Sequence, residues 1–306
     1  MNLRHLRYLV VLAEERHFHR AAERLHISQS TLSSALHQLE EELGVPLVRR
    51  DRRRFDALTE PGVVALAEAR RVLGACATME AALASLGAEV TGNVTLGVIP
   101  TAEPTLPAFT IALAAAAPRI AVRERLMNTR DIVQSVLDRS IHAGIAYVDF
   151  DLDPRIQVQP LYDEHYVVCG PAKRLPRALR PVPWSDAAQL PLAMLTPDMR
   201  NRQILDRHFD TLGLRPVPRI ELNSVLAVLA HVHATDCCAI VPAAATRFVR
   251  HVPRLAVRPM GEPALAVPVG LLLRREAPLP PLSRSLLAAA SKAGLESTEG
   301  MQGFID

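Results

Sequence analysis

Between Ser28 and His37 the chain gathers short hydrogen-bonding side chains: Ser28, Gln29, Ser30, Thr31, Ser33 and Ser34, with His37 one turn further on. Side chains this small let a backbone approach a polar surface and can donate to phosphate oxygens or base edges. The Gln29 amide can pair with adenine N7 and N6, worth ~1–3 kcal/mol of discrimination when bidentate. Soon after comes Arg49-Arg50-Asp51-Arg52-Arg53-Arg54, five arginines in six residues. A charge run is ordinarily a solvated face. Beside a nucleic-acid-facing helix it reads better as a phosphate contact, with Arg52, Arg53 and Arg54 on phosphates or dipping into a minor groove.

These groups need a scaffold, and the flanking residues supply one. Phe18, Ala21, Ala22 and Leu25 form one apolar stripe at helical period, and Leu32, Ala35 or Leu36, Leu39 and Leu43 form a second. His26-Ile27-Ser28 has turn length, and Ser28 suits an N-cap, a role compatible with meeting DNA. Leu3 to Glu15 adds a third helix, and Gly44 stops the last one. A helix-turn-helix and a plain helical hairpin fit this stretch equally well on its own; the arginine ribbon beside it favours the first.

From Thr59 the pattern becomes a long helix. Ala65, Ala69, Val72, Cys76, Met79, Leu83 and Leu86 recur at alternating spacings of four and three, a seam that a second copy of the chain would cover. Packing on the chain's own C-terminal part is the alternative. Beyond Gly92, strands and helices alternate as in a parallel α/β unit, with a crossing into a second lobe near Pro160. The division expected is 1–58 for DNA contact, 59–90 for the linker helix and 91–295 for an α/β unit. Its lobe I covers about 91–160 and 268–295, its lobe II about 161–267, and 296–306 form a loose tail.

Composition narrows the classes. Of 306 residues 49% are hydrophobic, which excludes a disordered chain, and a net charge of +3 means any nucleic-acid footprint is local. Cys76, Cys169, Cys237 and Cys238 lack metal-ligand spacing and read as buried small hydrophobes, with redox regulation the lesser alternative. No apolar run reaches the ~20 residues of a membrane span, and no signal peptide opens the chain, so a soluble cytoplasmic protein is expected. Nucleophile-elbow, metalloprotease, P-loop and dinucleotide fingerprints are all missing, and no metal or other cofactor is expected.

The N-terminal residues resemble the LysR-type transcriptional regulators: Phe18 with Ala21-Ala22, Leu25 then Ser28-Gln29, Leu32-Ser33, Leu39 to Gly44, Leu47 with Arg50, and Leu58-Thr59 with Gly62. That match covers about the first sixty residues. Weaker signatures follow at Gly92 with Leu96, Pro100-Thr101 and Val241-Pro242. Residues 223–229 and 241–244, with Asn201-Arg202, look most like the cyanate-operon regulator branch. The ribbon between Arg50 and Thr59 is one residue longer than the family pattern, and His142 stands where members commonly have Asp.

The resemblance implies a winged helix-turn-helix, a linker helix and a two-lobed periplasmic-binding-protein-like effector domain. It implies a homodimer or homotetramer on double-stranded DNA, no enzymatic activity, and contact with RNA polymerase. Ligands in such sheets collect at the carboxyl ends of strands, beside helix N-termini that favour anions. A small anionic or carboxylate effector is therefore expected to touch Thr101, Asn128, Thr196, Asn201 and Arg202, with Thr101 and Arg202 the best match to family effector positions. The bland alternative has Thr101 capping a helix and Arg202 in solvent. A second class of function also fits an α/β core: a cytoplasmic solute-binding or enzymatic protein whose N-terminal helices serve only assembly.

Overall fold

Leu6, Leu9 and Leu12 fall on one side of a helix and are withdrawn from solvent in the computed structural model, which describes residues 2–51, 54–84, 90–176, 180–248 and 252–293. That helix is α1 (Leu3–Glu15). It is followed by α2 (Phe18–Arg24) and α3 (Gln29–Leu43), the antiparallel pair β1 (Val48–Asp51) and β2 (Arg54–Leu58), and the long α4 (Glu60–Ala84). The first two helices share a buried core with α3: Phe18, Ala21, Ala22, Leu32, Leu36 and Leu39, joined by Leu47 and Val48. Ile27, in the turn, packs against it. Gly44 ends α3 with a left-handed φ of 72°, a conformation glycine adopts without a Cβ penalty.

Ala69 of α4 belongs to that same core, with Ala65 and Leu73 packed on it. The expected seam is therefore divided. Its first turns are covered by the chain's own helices, while Val72 and Met79 are exposed, along with Val63 and Val64 on the same helix. The side chain of Leu83 and all of Leu86 lie outside the described residues.

Two compact units are present, Met1–Ala88 with Ser135–Ile141, and Glu89–Gln134 with His142–Asp306. The second opens with β3 (Thr91–Val98), α5 (Leu106–Ala116), β4 (Arg119–Leu126), α6 (Thr129–Leu137) and β5 (Ala143–Tyr147), where β3 pairs in parallel with both β4 and β5. Next come β6 (Ile156–Pro171), α7 (Trp184–Ala187), β7 (Ala193–Leu195) and α8 (Arg200–Thr211). The order continues with β8 (Ile220–Leu222), α9 (Val225–Ala234), β9 (Ala239–Pro242), β10 (Leu255–Pro259), β11 (Ala266–Arg274) and α10 (Pro281–Lys292).

The crossing expected near Pro160 is not a break between strands: one strand of 16 residues, β6, runs straight through it. Its first part pairs with β11 beside β5; its last part pairs with β9 and β10. Pro160 sits where the β6–β11 register shifts, at a bulge, and a bulge tolerates a residue that cannot donate to the ladder. One continuous strand thus carries both lobes of the sheet. Helices α6 and α8 start after strands of opposite lobes, which sets their first turns beside one cleft.

Candidate functional site

The exposed end of α3 carries the polar run. Ser28 is its N-cap, accepting from the Thr31 amide at 3.1 Å, with hydroxyl contacts to Ser30 Oγ at 2.8 Å and Thr31 Oγ1 at 2.7 Å. Gln29, Ser30, Thr31, Ser34 and His37 are exposed and Ser33 is half-buried, while Leu32, Ala35, Leu36 and Leu39 face the core. His37 has a partner on its own helix, with Nε2 3.4 Å from Glu41 Oε1. One face of α3 therefore holds the unit together and the other offers donors and acceptors to whatever it meets.

The ribbon is fixed to that helix by two polar anchors. Glu40 Oε1 on α3 accepts from the amides of Leu47 at 2.8 Å and Val48 at 3.1 Å. Thr59 donates to Pro46 O through its hydroxyl at 2.6 Å, and its Oγ1 accepts from the Gly62 amide, capping α4. Asp56 has no register partner, so the extra residue noticed in the sequence is a bulge in β2 opposite Arg49 and Arg50. Arg54 opens β2; Arg52 and Arg53 lie outside the described residues.

In the second unit a small solvent-open cleft is lined by apolar Ile99, Pro100, Leu195 and Met199 and by polar Thr101, Asn128, Thr129, Tyr147, Arg200 and Asn201. Of the five residues expected at an effector, Thr101, Asn128 and Asn201 meet here. Asn128 caps α6, accepting from Asp131 N at 2.9 Å. Thr196, whose buried hydroxyl also lacks a partner among the described residues, and Arg202 are not among the lining residues. Arg202 is neither in solvent nor in the cleft: Nη1 donates to Leu195 O and Glu221 Oε1, and Nε to Asp206 Oδ1, a latch within its own lobe. The guanidinium that reaches the cleft belongs to Arg200, two residues earlier on α8.

The cleft floor is a buried polar network that sequence reasoning missed. Glu164, in the middle of β6, accepts at Oε1 from Tyr147 OH at 2.6 Å and Tyr166 OH at 2.9 Å. Tyr147 in turn takes a hydrogen bond from Asn201 Nδ2 at 3.1 Å and shares one with Thr101 Oγ1 at 2.9 Å. Asn201 also donates to Tyr166 OH at 2.9 Å. Glu164 Oε2 has no partner among the described residues, and neither does the buried Thr129 hydroxyl on the cleft wall. Buried polar atoms are nearly always satisfied, so the orphaned Thr129 hydroxyl and Arg200 Nε, both on lining residues, mark where a ligand or solvent belongs. Sequence pattern gives no signal for this network, because Glu164 lies in a strand that also carries Gln157, Gln159, Asp163 and His165.

Burial pushes the Glu164 carboxyl up to about 7. Its unfolded-state pKa lies near 4.5, so between those values the folded chain binds the proton more tightly and stability falls as pH rises. The expected loss from pH 4.5 to pH 7 is on the order of 3 kcal/mol. Glu164→Gln should abolish that slope. Urea unfolding followed by fluorescence of Trp184, the chain's one tryptophan and a core residue of this unit, reads it directly. A slope unchanged by the substitution would rule Glu164 out as its source. Among the described residues no group of three or more His, Cys, Asp or Glu side chains is placed to hold a metal ion.

Comparison with known proteins agrees with this geometry. Residues 3–63 match the family model "Bacterial regulatory helix-turn-helix protein, lysR family", and residues 87–294 match "LysR substrate binding domain". A hydrogen peroxide-inducible genes activator of Dickeya chrysanthemi is 34% identical over 165 residues, 54% of this chain and 53% of that protein. The chain thus spans about half the length of that relative. A probable cat1 operon transcriptional activator of Acinetobacter lwoffii is 30% identical over 259 residues, covering 82% of this chain and 83% of that one. Neither is a cyanate-operon regulator. Among solved structures, a full-length OxyR from Pseudomonas aeruginosa with one cysteine changed to aspartate superposes with a TM-score of 0.76 at 26% identity, over 96% of both chains.

Proposed function

Given that this chain belongs to the LysR family of bacterial regulators, we propose that it is a transcription regulator that reads duplex DNA with α3, grips phosphates with the β1–β2 ribbon, and is switched by a small carboxylate or other anion in the cleft of its second unit. The observation that carries the DNA half is the outward face of α3: Gln29, Ser30, Thr31 and Ser34 exposed on a helix whose other face is locked into the core. Ser28, Ser33 and His37 complete the contact surface, and Arg52, Arg53 and Arg54 supply the charge.

Gln29→Ala should remove about 1–3 kcal/mol of preference at one base position. A binding titration over single-base variants of the site measures it. An equal loss on every variant would place Gln29 on the phosphates instead.

For the ligand half, Thr101, Asn128, Thr129, Arg200 and Asn201 are the proposed contacts. α8 has no side-chain cap at its N-terminus, and the orphaned Thr129 hydroxyl lies on the facing wall. In this reading Thr196 and Arg202 shape the lobe without touching the effector. Residues 1–58, 59–90 and 91–295 are the DNA-binding, linker and effector segments. The exposed Val63, Val64, Val72 and Met79 of α4, and the exposed β4 with Val122 and Leu126, support assembly as a dimer or tetramer. Such a regulator works beside RNA polymerase in the cytoplasm; among the described residues no helix is long and apolar enough to cross a membrane.

Peroxide sensing, which some relatives' names suggest, has little support in this chain. Cys169 and Cys238 are buried, and burial pushes their thiols up to about 12 and about 11, which keeps them protonated and unreactive. No cysteine lines the cleft.

A further inference from the structure

Arg200, which lines the cleft, is already held by an anion of the chain's own. Asp149 follows β5 in one lobe, and its Oδ2 pairs with Arg200 Nη2 at the start of α8 in the other. The pair is imperfect. Asp149 Oδ1 and Arg200 Nε are both buried and both lack a partner among the described residues. Only one tine of the guanidinium fork is used. Meanwhile Phe150 lies against the guanidinium face, with the ring centroid 5.5 Å from Cζ, a contact that leaves the edge of the fork to whichever acceptor it meets.

We propose that Asp149 is a tethered competitor for the effector: its carboxylate occupies Arg200 and ties the lobes together in the ligand-free chain, and an anionic ligand binds by displacing it. The inference rests on the anionic-effector reading above and deepens it. A free carboxylate can take Nε and Nη2 together, a two-point contact that Asp149 does not make and the stronger form of an arginine–carboxylate pair. Displacement removes the cross-lobe tie, so occupancy and lobe arrangement are coupled through one side chain. The competitor also sets a threshold. If the internal pair is closed nine times in ten, apparent affinity is cut about tenfold, because only the open fraction can bind. Neutral ligands contact Arg200 without needing the exchange and escape that cut.

The test uses isobutyrate and its uncharged isostere isobutyramide, titrated calorimetrically into the full-length chain. Asp149→Asn should bind isobutyrate about tenfold more tightly than the unchanged chain, Asp149→Ala should move the same way, and Arg200→Gln should lose the isobutyrate signal. Isobutyramide should not distinguish the unchanged chain from Asp149→Asn. Trp184 fluorescence checks that each variant is folded. Equal isobutyrate affinity in the unchanged chain and both Asp149 variants would overturn the competitor while leaving the anionic-effector reading intact. No isobutyrate binding by any of them would overturn both.

Discussion

Replacing Arg52, Arg53 and Arg54 together with alanine should weaken DNA binding about a hundredfold near physiological salt and reduce the slope of log K against log salt by about 2.7. The two numbers have one source. Each phosphate neutralised on B-DNA releases condensed counterions and adds about 0.9 to the slope, so three contacts add about 2.7. At about 0.15 M salt that slope is worth roughly two decades of affinity. The scaffold justifies counting all three as one unit. Glu40 and Thr59 tie the base of the ribbon to α3 and α4, and the three arginines follow one another in the sequence beyond that base. Fluorescence anisotropy on one duplex across a salt series measures both quantities. An unchanged slope would mean that the arginines are only a solvated surface.

Gly62→Ala should destabilise the N-terminal unit by about 3 kcal/mol or more, a large share of what holds a small domain folded. A Cβ at this position would stand 1.9 Å from Leu47 O and 2.9 Å from Leu47 C. Both are backbone atoms of a buried residue, 1% exposed, whose carbonyl also accepts from Thr59 N at 2.9 Å. No side chain can swing aside to make room. Either α4 or the segment entering β1 must shift, and the second displaces the ribbon from its anchor on Glu40. Thermal unfolding of the variant should show a lower midpoint for this unit and weaker DNA binding in its remaining folded fraction. An unaltered midpoint would show that the approach of α4 to Leu47 is looser than this packing requires.

The DNA-facing unit was almost entirely legible in the sequence, for a physical reason. Its helices are short and amphipathic, and Gln29, Ser30, Thr31, Ser34 and His37 sit at positions that helical period assigns to the outer face. Ser28 as cap, Gly44 as stop and the outward Gln29 all follow from local rules. The seam on α4 was only half legible. Ala65 and Ala69 fit a heptad equally well against a partner chain or against α1, and periodicity cannot say which apolar surface covers a stripe.

The cleft was harder to read because it is assembled from residues far apart in the chain. Thr101, Asn128 and Asn201 were found through their places after strands and at helix starts. Arg200 and Arg202 differ by two residues at the start of one helix, and which of them reaches the cleft depends on how α8 docks. Glu221 and Asp206 draw Arg202 away, and neither contact is visible in local pattern. The network around Glu164 needs two lobes in register along β6, a strand that Pro160 disguised as two.

Sequence reading by α3 is tested most directly by selecting sites from a random duplex library with the whole chain and then titrating the enriched duplex against a scrambled one at fixed salt. Paired half-sites spaced by about one helical turn or a multiple of it should emerge, bound at least about a thousandfold more tightly than the scrambled duplex. Equal affinity for both duplexes, with no motif enriched, would contradict sequence reading by α3.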